Sequence, residues 1–345
     1  MDKLSAGLIV YPSISLVEDI GGGATSRVWS AENYLSGKKC ALKCFSDNKK
    51  NNKYYENEVE ILKLIECSQI INLIANSTML TTVQYIVMDY CPTSVSKVLN
   101  KFMTLHKTGL PINMSKFIFS QLLQALDYLH SHEIVHTDIK PDNILITTEL
   151  SSITNDSLPC IKLIDFGTSY KNGKGVCKTL GTPGYVAPEV IVLGHIGKKA
   201  DIWSAFAMLV EFITGDFLFD IFDECDIEYN YVFNIKGFPS ASASFTDTEY
   251  TLVEYKYLVL LYIILGKPTY EYYEYGNDFY NFRGQPRNDT TTIPRSLTIS
   301  DCFTLYNIDT PIVLEILPII EQCLDYNTEL RLSAAELLKL NWFNN

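Results

Sequence analysis

Positive charge is scarce in this chain. Lys and Arg number 28 against 40 Asp and Glu, a net charge of -12 over 345 residues. Nucleic-acid affinity rests on clustered cations, so direct DNA or RNA binding is disfavoured and basic protein partners are favoured. Paired cysteines are lacking as well: the nine cysteines are odd in number, scattered, and form no Cys-x-x-Cys. The opening Met1-Asp2-Lys3-Leu4 has no signal-peptide pattern, and together these features predict a reduced intracellular setting. Lys49-Lys50 with Lys53 is too thin for a nuclear-import cluster, so cytoplasm and nucleus both stay open. Long hydrophobic runs are missing. The longest, Tyr257 to Leu265 between Lys256 and Lys267, is far below the roughly 20 residues of a membrane span and reads as buried helix. Without a basic amphipathic segment, no membrane role is expected. Repeats and low-complexity tails are absent too. What remains is globular in composition, 47% hydrophobic and 20% charged. Its length is about twice the roughly 150-residue domain prior, which fits one two-lobed domain or two small ones.

The first 90 residues carry short β-branched or aromatic runs separated by Gly, Asn and Ser: Leu8–Tyr11, Arg27–Ser30, Lys39–Lys43 and Tyr85–Met88. Among them, Val59, Leu62 and Ile65 recur at helical spacing, predicting an amphipathic helix over Tyr54–Ile65. After Pro92 the chain turns helical. Ile118, Leu122, Ala125, Leu126 and Leu129 form one stripe of a helix over Met114–Ser131. A strand pair is expected at Asn143–Thr147 and Ile161–Asp165, joined by the polar loop Thr148–Pro159. Helices are expected at Ile202–Ile213, Leu252–Leu265, Ile312–Leu324 and Ser333–Leu340, the last opened by a Ser333-x-x-Glu336 capping box. A small β-lobe joined near Tyr90 to a large helical lobe places a cleft at the junction.

His136-Thr137-Asp138-Ile139-Lys140-Pro141-Asp142-Asn143 is the strongest chemical signal. It lies after a helix and before a strand, in a tight loop at the cleft. Asp138 can accept a hydroxyl proton and orient a nucleophile. Asn143 and Asp165, the latter opening Asp165-Phe166-Gly167, offer hard oxygens of the kind Mg²⁺ prefers. Lys140 can neutralise charge on a transferring phosphoryl group.

In the order and spacing of these motifs the chain resembles eukaryotic protein kinases, from about Val17 to Phe343. The resemblance implies an α+β bilobal kinase fold: a short extension at 1–16, then a kinase domain over 17–343 divided into an N-lobe (17–90) and a C-lobe (91–343). It implies ATP and Mg²⁺ as cofactors, with Asp138 and Lys140 catalytic and Asn143 and Asp165 metal ligands. Ile20-Gly21-Gly22-Gly23-Ala24-Thr25-Ser26-Arg27-Val28 resembles the glycine-rich loop over the phosphates, with Ser26 in place of the third glycine. Lys43, in Cys40-Ala41-Leu42-Lys43, would anchor the α- and β-phosphates and pair with Glu58, not with Glu56 or Glu60. Met88 would gate the adenine pocket, with Asp89, Tyr90 and Cys91 as hinge. Glu189, ending Gly181-Thr182-Pro183-Gly184-Tyr185-Val186-Ala187-Pro188-Glu189, would pair with Arg331, and Asp201 would hold the catalytic-loop backbone.

Lys140 and Thr182 are similar to their counterparts in Ser/Thr kinases. Thr137 stands where many kinases carry an arginine that binds an activation-loop phosphate, so activity without loop phosphorylation is expected. The wording of the catalytic loop, Ser26-Arg27-Val28-Trp29 and Thr214-Gly215-Asp216-Phe217-Leu218-Phe219 resemble the SR-protein kinases, a family within the CMGC group. Residues 216–278 hold twelve acids against three lysines, which predicts docking of basic Arg/Ser-rich segments. Against that subfamily stand Gly184–Glu189, which looks like a generic Ser/Thr kinase, and the lack of a long spacer after Thr148. A monomer is expected. The alternatives are a Ser/Thr kinase of another, cell-cycle type and an inactive kinase-like scaffold.

Overall fold

Alternation along strands decides which side chains reach the cleft. A computed structural model describes residues 9–11, 13–23, 26–46, 49–77, 84–176, 181–216, 218, 261, 299, 300, 303 and 311–344. Its first region holds β1 (Ile9–Tyr11), β2 (Ile14–Gly22), β3 (Ser26–Asn33), β4 (Lys38–Phe45), the helix α1 (Lys49–Leu64), β5 (Leu73–Asn76) and β6 (Tyr85–Asp89). The strands form one antiparallel sheet ordered β1-β2-β3-β4-β6-β5. On β4, Cys40, Leu42 and Cys44 pack with Tyr85 and Val87 of β6 and with Ile14, Leu16 and Ala31 on one sheet face. Ala41 and Phe45, with Ile86 and Met88, belong to the main core on the other face. A period of two therefore puts Lys43 on the inner face, where α1 lies.

Ile14 and Leu16 are buried strand residues, so part of the expected 1–16 extension contributes to the sheet. Three elements carried too weak a local pattern to be anticipated: most of β2, β5, and the helix α2 (Val95–His106) after the short β7 (Thr93–Ser94). Ser94 caps α2, its Oγ accepting from Lys97 N at 3.3 Å.

The helical region is built on α3 (Ile112–Ser131). After it come β8 (Ile134–Val135), β9 (Ile144–Ile146), β10 (Ile161–Leu163), β11 (Tyr170–Lys171) and β12 (Lys174–Val176). Then follow α4 (Pro188–Leu193), β13 (His195–Gly197) and α5 (Lys198–Thr214). Every described residue of α5 from Ala200 to Thr214 is buried, and Phe206 meets Phe119 of α3 edge-on at 5.1 Å. Gly109 lets the chain graze the end of α5: a Cβ there would lie 2.4 Å from the carbonyl oxygens of Phe212 and Ile213. The chain closes with α6 (Pro311–Cys323), α7 (Ala334–Leu337) and α8 (Asn341–Asn344). The expected capping box is present: Ser333 Oγ accepts from Glu336 N, and Glu336 Oε2 accepts from Ser333 N at 2.8 Å. The helix expected at Leu252–Leu265 lies outside the described residues apart from buried Leu261. Among the described residues no helix is long and apolar enough to cross a membrane.

Candidate active site

Between the sheet and the helical region lies a cleft of about 670 Å³. Ile20, Gly21, Gly22, Gly23, Ser26 and Val28 roof it, Met88 to Ser94 form one wall, and Asn143, Leu145, Ile164 and Asp165 lie on its floor. The roof is the β2–β3 hairpin, closed by Gly23 N donating to Ser26 O at 2.9 Å. A Cβ on Gly22 would lie 2.5 Å from Ser26 O, so this turn needs a glycine at its middle position. Arg27 departs from the expectation that all of Ile20–Val28 faces a nucleotide. It alternates with Ser26 and Val28, points to the other face and pairs with Asp19 at 2.5 Å. Ala24 and Thr25 lie outside the described residues.

At the inner end of the cleft Lys43 Nζ donates to both Glu58 oxygens, at 2.7 and 3.0 Å, and to Asp165 Oδ1 at 2.8 Å. Glu60, on the other side of α1, meets Lys171 instead. Burial disfavours the Lys43 ammonium, but the Glu58 and Asp165 carboxylates outweigh it and hold its pKa above the ordinary value. Burial pushes the Glu58 carboxyl up to about 7 against the pull of Lys43. The Lys43 charge holds Asp165 below the usual carboxylate range despite burial.

At the mouth of the cleft, Asp138 gathers three partners. Lys140 Nζ is 2.8 Å from Oδ2, Asn143 Nδ2 donates to the same oxygen at 3.0 Å, and Thr182 Oγ1 donates to Oδ1 at 2.7 Å. The loop is held from below by Asp201, whose oxygens accept from the His136 and Thr137 amides at 2.8 Å and meet His130 Nε2 at 2.9 Å. Two non-glycine residues flanking this chemistry adopt left-handed backbone, Thr137 (φ 75°) and Asp165 (φ 71°). Such strain is worth on the order of 1–3 kcal/mol and persists only where surroundings enforce it, here Asp201 and Lys43. Glu189 and Arg331 form a buried bidentate pair at 2.6 and 2.8 Å, with Arg331 also over the Trp203 ring.

Among the described residues no group of three His, Cys, Asp or Glu side chains could cage a metal unaided. Asn143 and Asp165 nevertheless suit Mg²⁺. The Ile164 amide donates to Asn143 O at 3.0 Å, which ties the two segments together. With Asn143 Nδ2 committed to Asp138 and Asp165 Oδ1 to Lys43, Asn143 Oδ1 and Asp165 Oδ2 are the hard oxygens left for a cation. Mg²⁺ is commonly held by one or two carboxylates together with substrate phosphates. A cleft with a glycine roof, an inner cation and two hard oxygens on its floor has the groups that a nucleotide phosphotransferase needs.

The family model for the protein kinase domain matches residues 14–343. The chain belongs to the protein kinase domain family. It is 32% identical over 229 residues to the DNA damage response protein kinase DUN1 of Saccharomyces cerevisiae. It is 32% identical over 201 residues to the serine/threonine-protein kinase ATG1c of Arabidopsis thaliana, and 30% over 210 to the human serine/threonine-protein kinase D2. The matches cover 58%, 57% and 59% of this chain but only 42%, 26% and 23% of those proteins. The chain thus spans less than half the length of the relatives it matches.

In this kinase domain, sequence motifs located Asp138, Lys140, Asn143, Asp165, Lys43 and Glu58, and the fold brings all six to one cleft. They did not reveal Asn57, one residue before Glu58, whose amide reaches three backbone carbonyls more than 100 residues away. Its only sequence signal was that adjacency.

Proposed function

We propose that this kinase domain transfers the γ-phosphoryl group of Mg·ATP to Ser or Thr of protein substrates. One observation carries the reading: Asp138 is held by Lys140, Asn143 and Thr182 in the cleft whose inner end carries the Lys43–Glu58–Asp165 cluster. Asp138 orients the substrate hydroxyl and takes its proton, and Lys140 offsets charge on the phosphoryl group in flight. Lys43 would bind nucleotide phosphates, and Asn143 and Asp165 would hold Mg²⁺, which would supply positive charge to offset that of the phosphates. Phosphate transfer from radiolabelled Mg·ATP to a basic protein, with Asp138→Asn beside wild type, tests this. Wild type that binds Mg·ATP yet labels nothing would make the domain a scaffold.

Activity without loop phosphorylation has structural support. Thr137 Oγ1 donates to Thr168 O at 3.1 Å, tucking under the segment that an arginine would clamp through a phosphate. The same segment pairs with β8 through β11 and with β13 through β12, and Gly173 N donates to Glu133 O at 2.6 Å. These contacts, all made by protein groups, hold residues 168–176 against β8, β13 and the catalytic loop.

The Arg/Ser-rich substrate class, and with it the SR-protein kinase assignment, rests on sequence wording and on the acidic run at 216–278. Most of that run lies outside the described residues. None of the three relatives quoted is named an SR-protein kinase, and another, 32% identical over 212 residues, is named a probable cyclin-dependent kinase of Dictyostelium discoideum. An Arg-Ser repeat peptide assayed beside a proline-directed peptide separates the two. Intracellular action as a monomer on protein substrates, without nucleic-acid or membrane partners, completes the proposal.

A further inference from the structure

Asn57 has no role in the sequence motifs, yet it makes an unusual set of contacts. Its Nδ2 lies 3.1 Å from the Phe166 carbonyl oxygen, 3.1 Å from that of Gly167 and 2.8 Å from that of Ser169. An amide carries two N–H donors, so three acceptors share them and one bond is three-centred. The three carbonyls belong to irregular backbone between β10 and β11, where the Phe166 oxygen also accepts from Ser169 N at 3.1 Å and so closes the turn. This turn starts at Asp165, whose left-handed backbone must be enforced from outside. Lys43 grips the Asp165 carboxylate and is itself held by Glu58, the next residue on α1. The helix therefore fastens the turn at adjacent points: the Asp165 carboxylate through Lys43, the Phe166 amide through Glu58, and the carbonyls of Phe166, Gly167 and Ser169 through Asn57.

We propose that Asn57 is a positioning residue for phosphoryl transfer: by holding the Phe166, Gly167 and Ser169 carbonyls against α1, it sets the aim of the Asp165 carboxylate and so the divalent-cation affinity of the Asn143–Asp165 pair. The inference rests on the kinase reading above. Asn57 touches no reacting atom; without it, Lys43 and the nucleotide cleft remain while Asp165 loses its fixed direction.

Two variants test this. Asn57→Leu keeps the size and removes the donors; Asn57→Asp keeps the shape and sets a carboxylate against three carbonyl oxygens. Binding of a fluorescent ATP analogue is measured in EDTA and then across a Mg²⁺ titration, alongside kcat and the melting temperature. In EDTA, variants and wild type bind within about twofold of each other. The Mg²⁺ concentration at half-maximal binding enhancement rises about tenfold or more in the variants, the scale seen when a partner orienting a metal ligand is lost. Their kcat falls at the wild-type Mg²⁺ concentration and recovers with excess Mg²⁺, a rescue that a purely architectural residue would not show. Wild-type Mg²⁺ titrations in both variants would overturn the inference, whatever the melting temperature. So would loss of Mg²⁺-free nucleotide binding, which makes Asn57 a support of the cleft itself. A wild-type protein that binds no nucleotide would sink the kinase reading, and this inference with it.

Discussion

Glu211 of α5 is a buried carboxyl whose hydrogen-bond partner is a phenol rather than a cation. Burial pushes it up to about 7, with Asp142 and Asp216 adding to the rise and the Tyr185 hydroxyl, 2.6 Å away, working against it. Between pH 4.5 and about 7 the folded protein keeps a proton there that the unfolded chain has released. Stability therefore falls as pH rises through that window, at a slope approaching about 1.4 kcal/mol per pH unit. Glu58, raised to a similar value by burial, acts in the same direction. Glu211→Gln is expected to flatten the dependence, read as unfolding free energies in denaturant at pH 5, 6 and 7; an unchanged slope would refute the assignment. At Asp138 the expected effect is on chemistry. Asp138→Asn should lower kcat by about 10²–10⁴ while Mg·ATP binding stays near wild type, since the residue handles the hydroxyl rather than the nucleotide.

At the scale of elements, the Glu189–Arg331 pair joins the start of α4 to the chain beyond α6. The Arg331 side chain is fully buried, and its Nε also donates to Asp325 O at 2.8 Å. Removing one member of such a pair leaves an uncompensated buried charge and costs about 3–5 kcal/mol. Arg331→Met should lower the unfolding free energy by that amount; a loss under about 1 kcal/mol would mean that the pair is dispensable. Elements were legible in the sequence where a local pattern marked them: the stripe of α3, the apolar run of α5, the capping box before α7. β2 was hidden because Glu18, Asp19 and two glycines break its alternation where it bends over the cleft. Arg27 was placed in the nucleotide site because a motif is read as a contiguous string, whereas a strand sends alternate residues to opposite faces. Asn57 escaped notice because its partners lie 109 to 112 positions along the chain, and no local spacing encodes a contact of that span.

For the whole molecule, the motif order was enough to anticipate two lobes and a cleft, because the glycine turn, Lys43, the 140–143 segment and Asp165 all line one cavity. Thr179, a hydroxyl of the segment between Asp165-Phe166-Gly167 and Glu189 that lies outside the described residues, tests how the assembled domain is switched. With residues 165–176 ordered by Asn57, Thr137 and two strand pairings, Thr179→Ala and phosphatase-treated wild type should each keep a rate within about twofold of the untreated enzyme. A loss of tenfold or more in either would show that a phosphate is needed after all. Asp201 has a consequence of another kind. One carboxylate at the start of the most deeply buried helix fixes two amides of the catalytic loop and a histidine of α3. The loop therefore has no private melting transition: it opens only when the centre of the large lobe opens, so the working lifetime of the catalytic loop is the lifetime of the lobe's cooperative unit.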